Sequence, residues 1–373
     1  MIRRASVTIA VGMALALSAT PGRAEQLGKL GGVLKKAQQF KDVEMTDAEE
    51  AQLGSEVSQR IRARYGVVQN PAAHKYVALV GMTLASASTK PGLAWKFIVL
   101  DTDAVNAFAA PGGFIHITKG ALANLKNESE LAGVLGHEII HVTDRHTIRA
   151  IQKGKLVQMG ADETAAGNSA LMGKLVDKAY EVIENGFGRG EELESDEKGI
   201  VLANTVGYAP QGMNGFLNML MERNKASNST EKNGLFASHP ETRERVDKMT
   251  KQIASAKLTS MATVDARYTS TITFKPVSVT EVATIEAGSS GAAGATAPKK
   301  VEDEPKKKGL GGLAGRLRPS GGEQKSAQVT GSGAGRGAGG EDRKAKGGPN
   351  PALVAVSVTA AEVTAFKNAG GLK

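Results

Sequence analysis

The chain has 373 residues and not one cysteine. That absence excludes disulfides, thiolate metal sites, a cysteine nucleophile and a lipid-modified N-terminal cysteine. A hydrophobic run long enough to cross a bilayer is missing too: the longest, from about Val7 to Ala19, is 13 residues, against the ~20 that a spanning helix needs. Basic charge is scarce where a fold is expected. The net charge is +9, but residues 1–24 carry three Arg and no acid, and residues 287–350 carry twelve Lys and Arg against six Asp and Glu. The remainder is balanced, which excludes a nucleic-acid footprint on the folded part. At this length a sizeable core forms without disulfide staples.

What is there falls into segments. Residues 1–24 run from Met1-Ile2-Arg3-Arg4 through the apolar stretch to Pro21-Gly22-Arg23-Ala24. This charged, apolar and small-residue order is that of a secretory signal, predicting cleavage after Ala24 and a soluble mature protein with no transmembrane helix. Residues 25–45 read as a linker. From 46 to 255 the pattern predicts an α+β, mainly helical domain with a small β-sheet. Thr46-x-x-Glu49 resembles a capping box opening a helix through Tyr65, and Asn70-Pro71 opens another through about Ala87. Trp95–Leu100 and Phe114–Thr118 read as strands, the second following a turn at Pro111-Gly112-Gly113. Leu122–His146, Lys174–Asn185, Glu191–Val206 and Pro210–Asn224 read as helices. Residues 264–286 predict a short β-rich accessory segment, from Tyr268-x-Ser270-x-Ile272-x-Phe274 and Val277–Ile285. Residues 287–350 hold 17 glycines and little to bury, which predicts a disordered linker whose basic charge suits an acidic partner or surface. Residues 351–373 read as a strand, Val354–Val358, and then a helix capped by Thr359-x-x-Glu362.

Chemistry concentrates at His137-Glu138-x-x-His141. On a helix the two His differ by about 40° around the axis and ~6 Å along it, so both imidazoles can share one metal ion. Glu138 sits about 100° from His137, where it can reach a water on the metal without being a ligand. A hydrolytic zinc site needs a third ligand and leaves the fourth position to water. The acidic run Glu191, Glu192, Glu194, Asp196, Glu197 offers candidates on another helix. Glu192 and Asp196 are four apart, so one can ligate while the other fixes the tautomer of a ligand imidazole. On one continuous helix, His146 points about 100° to 180° away from the ligand pair, as a structural group or a partner of the ligands. His116 reads either as a solvent-facing strand residue or as a substrate contact, and His74 as a surface residue.

Val105 to Gly113, the segment from Asn127 through the histidine motif to His146, Glu192-x-x-x-Asp196, and Ser238-His239-Pro240 with Arg245 occur in this order. Together they resemble the zinc metallopeptidase family of HtpX and the CaaX prenyl proteases, gluzincins of zincin-like fold. Within it the likeness is to the exported, soluble BepA-like and LoiP-like branch, over residues 46–250. The resemblance implies one Zn2+ on His137, His141 and Glu192, Glu138 as general base, and Asp196 behind a ligand. It implies His239 or Arg245 as a further oxyanion donor, or His239 as a latch that fills the open metal position. It also implies an edge strand that binds substrate backbone by strand addition, with Asn106, Gly113, Phe114, Ile115 and His116 as its contacts. Nothing after about residue 286 resembles the helical-repeat domain of BepA-like proteins.

The expectation is therefore an exported, periplasmic zinc endopeptidase acting on unfolded or misassembled envelope proteins, a substrate class that rests on the resemblance alone. The rival reading is a chaperone-like or adaptor protein with a quiescent, His239-latched zinc site and a basic tail bound to an acidic partner. A purely structural zinc module is disfavoured by Glu138, because a closed structural site has no use for a base.

Overall fold

The computed structural model describes residues 45–158, 168–226, 239, 242–278, 283–285, 295–296, 329–331 and 350–373. The expected signal, and the linker up to residue 44, lie outside them. Helix α1 (Asp47–Tyr65) opens with a complete capping box: the Thr46 hydroxyl accepts from Glu49 N at 3.2 Å, and Glu49 Oε2 accepts from Thr46 N at 2.8 Å. Asn70 caps α2 (Pro71–Ala85) by accepting from the N–H groups of Ala72 and Ala73, with Pro71 pre-set for the first turn. Strands β1 (Lys96–Leu100), β2 (Ala107–Ala110) and β3 (Phe114–Thr118) follow. Then come α3 (Lys119–Asn124), α4 (Glu128–Thr143), α5 (His146–Gln158), α6 (Asn168–Asn185), α7 (Arg189–Thr205), α8 (Gly212–Ala226), α9 (Thr242–Ser255) and α10 (Asp265–Thr271).

The sheet has the order β1-β3-β2, with β3 parallel to β1 and antiparallel to β2. Its two faces follow from strand alternation. Phe97, Val99, Ala107, Ala109, Ile115 and Ile117 join side chains of α2 and α4, whereas Ile98, Leu100, Phe108, Ala110 and Phe114 join α1 and α6. The sheet is thus a middle layer, buried on both faces. The 3-10 turn Pro111–Gly113 closes the β2–β3 hairpin, with Gly112 at φ +72°, a left-handed conformation that glycine adopts without a Cβ clash. This turn lies hard against α1: a Cβ on Gly54 would stand 1.8 Å from Pro111 O.

Three expectations are corrected. The single helix read over Leu122–His146 is three helices. Asn127 caps α4 by accepting from Glu130 N at 3.0 Å, and Arg145, at φ 58°, breaks the chain between α4 and α5. Apolar periodicity runs across both breaks and hides them. The expected edge strand, Phe114–His116, is the central one. Both of its edges carry ladders, so it cannot take up a substrate strand; the sequence pattern marks a buried strand without saying which neighbours flank it. Tyr268, read as strand, sits in α10, where its hydroxyl donates to Leu122 O and its ring is buried against Tyr76; tertiary packing overrides the short alternation. Separately from these, Ala295–Thr296 (β5) and Val329–Gly331 (β6) pair with Ala283–Ile285 (β4) in a second three-stranded sheet. Otherwise residues 286–349 lie outside the described residues.

Val354–Val358, read as a strand, belongs to no ladder among the described residues, and α11 (Ala360–Ala369) begins with the expected capping box at Thr359 and Glu362. This segment returns to the main domain. Val67 N donates to Asn350 O at 2.7 Å, Lys75 pairs with Glu362 at 2.7 Å, and Phe366 packs edge-on against Tyr76. His74 is likewise no surface residue: it is buried, with Nε2 2.9 Å from Val68 O. Among the described residues no helix is long and apolar enough to cross a membrane.

Candidate active site

Two helices build the site. α4 carries His137, Glu138 and His141, and α7 carries Glu192 and Asp196. They cross at Gly136 and Gly199: a Cβ on Gly136 would lie 3.1 Å from Gly199 O, and one on Gly199 would lie 3.0 Å from His137 N. Backbones this close let the short carboxylate arms of α7 reach the imidazoles of α4, and a side chain at either position would push donor from donor.

His137 Nε2 and His141 Nε2 are 2.9 Å apart, and the Glu192 carboxylate lies 3.5 Å from each. All three residues are buried. Behind His137, Nδ1–H donates to Asp196 Oδ1 at 2.9 Å, and Arg245 donates to both oxygens of Asp196 at 2.7 Å. With Nδ1 held by Asp196, the ring of His137 turns Nε2 towards His141 and Glu192. Arg245 Nη1 also lies 2.9 Å from Glu192 Oε2 and donates to His239 O at 3.3 Å. The Arg245 guanidinium is therefore committed to three residues of the site. His239 is buried in the same place. Its Nδ1 is 2.8 Å and 2.9 Å from the two Glu192 oxygens and 3.3 Å from His137 Nε2, and its Nε2 is 3.7 Å from Glu138 Oε1. His137, His141, Glu192 and His239 each bring a ligand atom into a group whose members all lie within 4.8 Å of one another.

The electrostatics agree with this donor set. Burial drives His141 well below the ordinary imidazole range, so it is neutral with a lone pair to offer. Burial opposes ionisation of Glu192 and Asp196, but His239 and Arg245 hold Glu192 well below the usual carboxylate range, and Arg245 holds Asp196 down. Burial raises Glu138, with His239 and His137 pulling the other way. Among the described residues Glu138 Oε2 is buried without a hydrogen-bond partner. The neutral His141, an ionised Glu192 carboxylate and an orphaned acceptor beside them fit a tetrahedral zinc site with one place left for water.

The other predicted residues lie apart from this centre. Asn106 ties β2 to β3, its N–H donating to Thr118 Oγ1 at 3.1 Å. His116 shares the β3 face of Phe114, turned to α1 and away from α4. It lies fully buried with Nε2 2.9 Å from Ser58 Oγ, and burial pushes its pKa down to about 3. It is neither solvent-facing nor a substrate contact. Gly113 and Phe114 lie at the turn packed under α1, and Ile115 is core. His146, by contrast, comes close: its Nδ1 is 2.9 Å from His141 Nδ1. The sequence reading missed Phe187, whose ring stacks on His141 at 4.1 Å and 21°. It stands in the short connection before α7, where neither periodicity nor motif marks it.

Residues 71–253 match the model of peptidase family M48. The beta-barrel assembly-enhancing protease of Escherichia coli (strain K12) is 30% identical over 204 residues, which are 52% of this chain and 41% of that protein. The mitochondrial metalloendopeptidase OMA1 of Schizosaccharomyces pombe is 27% identical over 60% of this chain and 66% of that protein. The metalloprotease YcaL of Escherichia coli (strain K12) is 28% identical over 43% of this chain and 63% of that protein. The chain spans about two fifths of the length of the assembly-enhancing protease.

Proposed function

The chain carries a peptidase family M48 domain over residues 71–253, and from that premise we propose that it is an exported zinc endopeptidase that hydrolyses peptide bonds in misassembled proteins of the bacterial envelope. The observation that carries this reading is the buried convergence of His137, His141 and Glu192 beside the unpartnered Oε2 of Glu138. His137, His141 and Glu192 would hold the metal. Zinc bound there supplies Lewis acidity towards a water and towards the oxygen of a peptide carbonyl. Glu138 takes the proton of that water and hands it to the departing amine nitrogen; its raised pKa suits both halves of the transfer. Asp196 and Arg245 keep His137 in the tautomer that presents Nε2, which makes Arg245 a positioning residue and not an oxyanion donor. β3 is paired on both sides and the outer side of β1 is bridged by Val67 and Val68, so strand addition is assigned to the edge of β2, which packs against α4. The name of the assembly-enhancing relative suggests β-barrel proteins as the substrate class, and the N-terminal signal pattern supports the periplasm as the place of action.

Digestion of an unfolded substrate such as casein tests this directly. The purified full chain should cleave it, lose the activity after treatment with a chelator and regain it when one equivalent of zinc is returned. A protein that binds zinc and never cleaves would favour the adaptor reading instead.

The placement of His239 favours the latch. Its ring is inside the donor group, with Nδ1 against Glu192, where it would compete with water for the fourth place on a bound metal. A preference of about 1.4 kcal/mol for this closed state would silence about nine molecules in ten. His239→Ala should therefore cleave casein about tenfold faster than the parent. A fall of about a hundredfold would instead mark His239 as an oxyanion donor.

A further inference from the structure

His137 is steadied by a carboxylate, as zinc-binding imidazoles commonly are. Among the described residues no carboxylate hydrogen-bonds to Nδ1 of His141. That nitrogen faces another imidazole, His146 Nδ1, at 2.9 Å, and His146 Nε2 lies 3.2 Å from Glu194 Oε2. We propose that His146 and Glu194 form a relay that fixes the orientation and tautomer of the metal ligand His141. The inference rests on the zinc reading above.

The protons can be placed in one consistent way. His141 turns Nε2 towards His137 and Glu192, so as a neutral ligand it carries its proton on Nδ1. His146 Nδ1 must then accept, which places the single proton of a neutral His146 on Nε2, where it is donated to the Glu194 carboxylate. Ser195 Oγ, 3.4 Å from His146 Nδ1, is a second donor to the same acceptor. Glu194 is anchored from the far side: Lys198 Nζ lies 2.6 Å from Oε1 and also reaches Asp144 at 2.5 Å. Phe187 stacks on His141 and has its ring centre 5.9 Å from that of His146, closing off the relay. The turn at Arg145 makes the geometry possible. On an unbroken helix His146 would point away from His141; the left-handed residue brings it back.

Asp144, His146 and Glu194 also bring one ligand atom each within 4.8 Å of one another, close enough for a cation. The Lys198 ammonium already bridges the two carboxylates, so a second metal would have to displace it. The relay leaves the zinc stoichiometry at one.

Zinc affinity of the full chain, measured by competition with a chromophoric chelator, is the test. His146→Leu should weaken zinc binding 10- to 100-fold, the usual loss when a partner of a metal-bound His is removed. His146→Asn, whose side-chain oxygen can accept from His141 Nδ1–H, should recover most of it. Glu194→Ala should weaken it several-fold, by less because Glu194 is part-exposed, while full occupancy returns at saturating zinc. Equal affinity in His146→Leu and parent, or an equal loss in the Leu and Asn variants, would overturn the relay. If His146→Leu does not fold, His146→Asn and Glu194→Ala decide: unchanged affinity in Glu194→Ala overturns the proposal. A parent that binds no zinc overturns the metal reading along with it.

Discussion

Glu138→Gln should keep its zinc and lose turnover of casein by about a thousandfold, the middle of the range for removing a general base. Gln has the shape of Glu and can donate and accept hydrogen bonds, but it cannot take a proton from water. The substitution removes no donor from the metal, because Glu138 lies one position along α4 from His137, about 100° around the axis. Stability should not suffer either, since a buried carboxylate oxygen without a partner is itself costly. Zinc content by elemental analysis and initial rates on casein check both halves. Activity within tenfold of the parent would assign the proton transfer to another group. Loss of zinc would show that Glu138 is a ligand.

The second large effect is on stability and comes from the far end of the same helix. Glu128, the first residue of α4, is completely buried, yet it accepts from Tyr76 OH and Tyr208 OH at 2.6 Å and from Arg267 Nε at 2.7 Å. A carboxylate suits the N-terminus of a helix, where backbone N–H groups point outwards. The Arg267 guanidinium is in turn held by the C-terminal segment: it stands 3.6 Å from the centre of the Phe366 ring and donates to Phe366 O. Arg267→Ala should lower the unfolding free energy by about 3 kcal/mol, because removing one partner leaves a buried charge uncompensated. The low end of the usual range applies because Arg267 is part-exposed. In thermal unfolding this corresponds to a fall of roughly 6–12 °C for a domain of this size. Adding Glu128→Gln to Arg267→Ala should restore part of the loss, since the orphaned charge goes with it. If Arg267→Ala melts with the parent, the pair contributes nothing and α11 is a passive neighbour.

The sequence by itself determined which groups the candidate site can offer. His137-Glu138-x-x-His141 needs only the helical repeat to bring two imidazoles together, and Glu192 and Asp196 share a helix face for the same reason. Capping at Thr46, Asn70 and Thr359 was legible because a cap is a contact between residues two or three positions apart. What the tertiary structure decided are contacts between residues far apart in the chain. Whether α4 and α7 approach closely depends on Gly136 meeting Gly199, and which of two carboxylates faces the imidazoles depends on that crossing. His146 could be read only on a helix assumed to be unbroken; one left-handed residue, Arg145, reverses where it points. β3 became the central strand because its partners are set by the crossover from β1 and the hairpin to β2, which strand alternation does not encode. Alternation reports how a residue is buried and helical spacing which face it takes. Neither says what lies opposite, and the relay behind His141, the His239 ring beside Glu192 and the anchoring of Glu128 through Arg267 to Phe366 are all questions of what lies opposite.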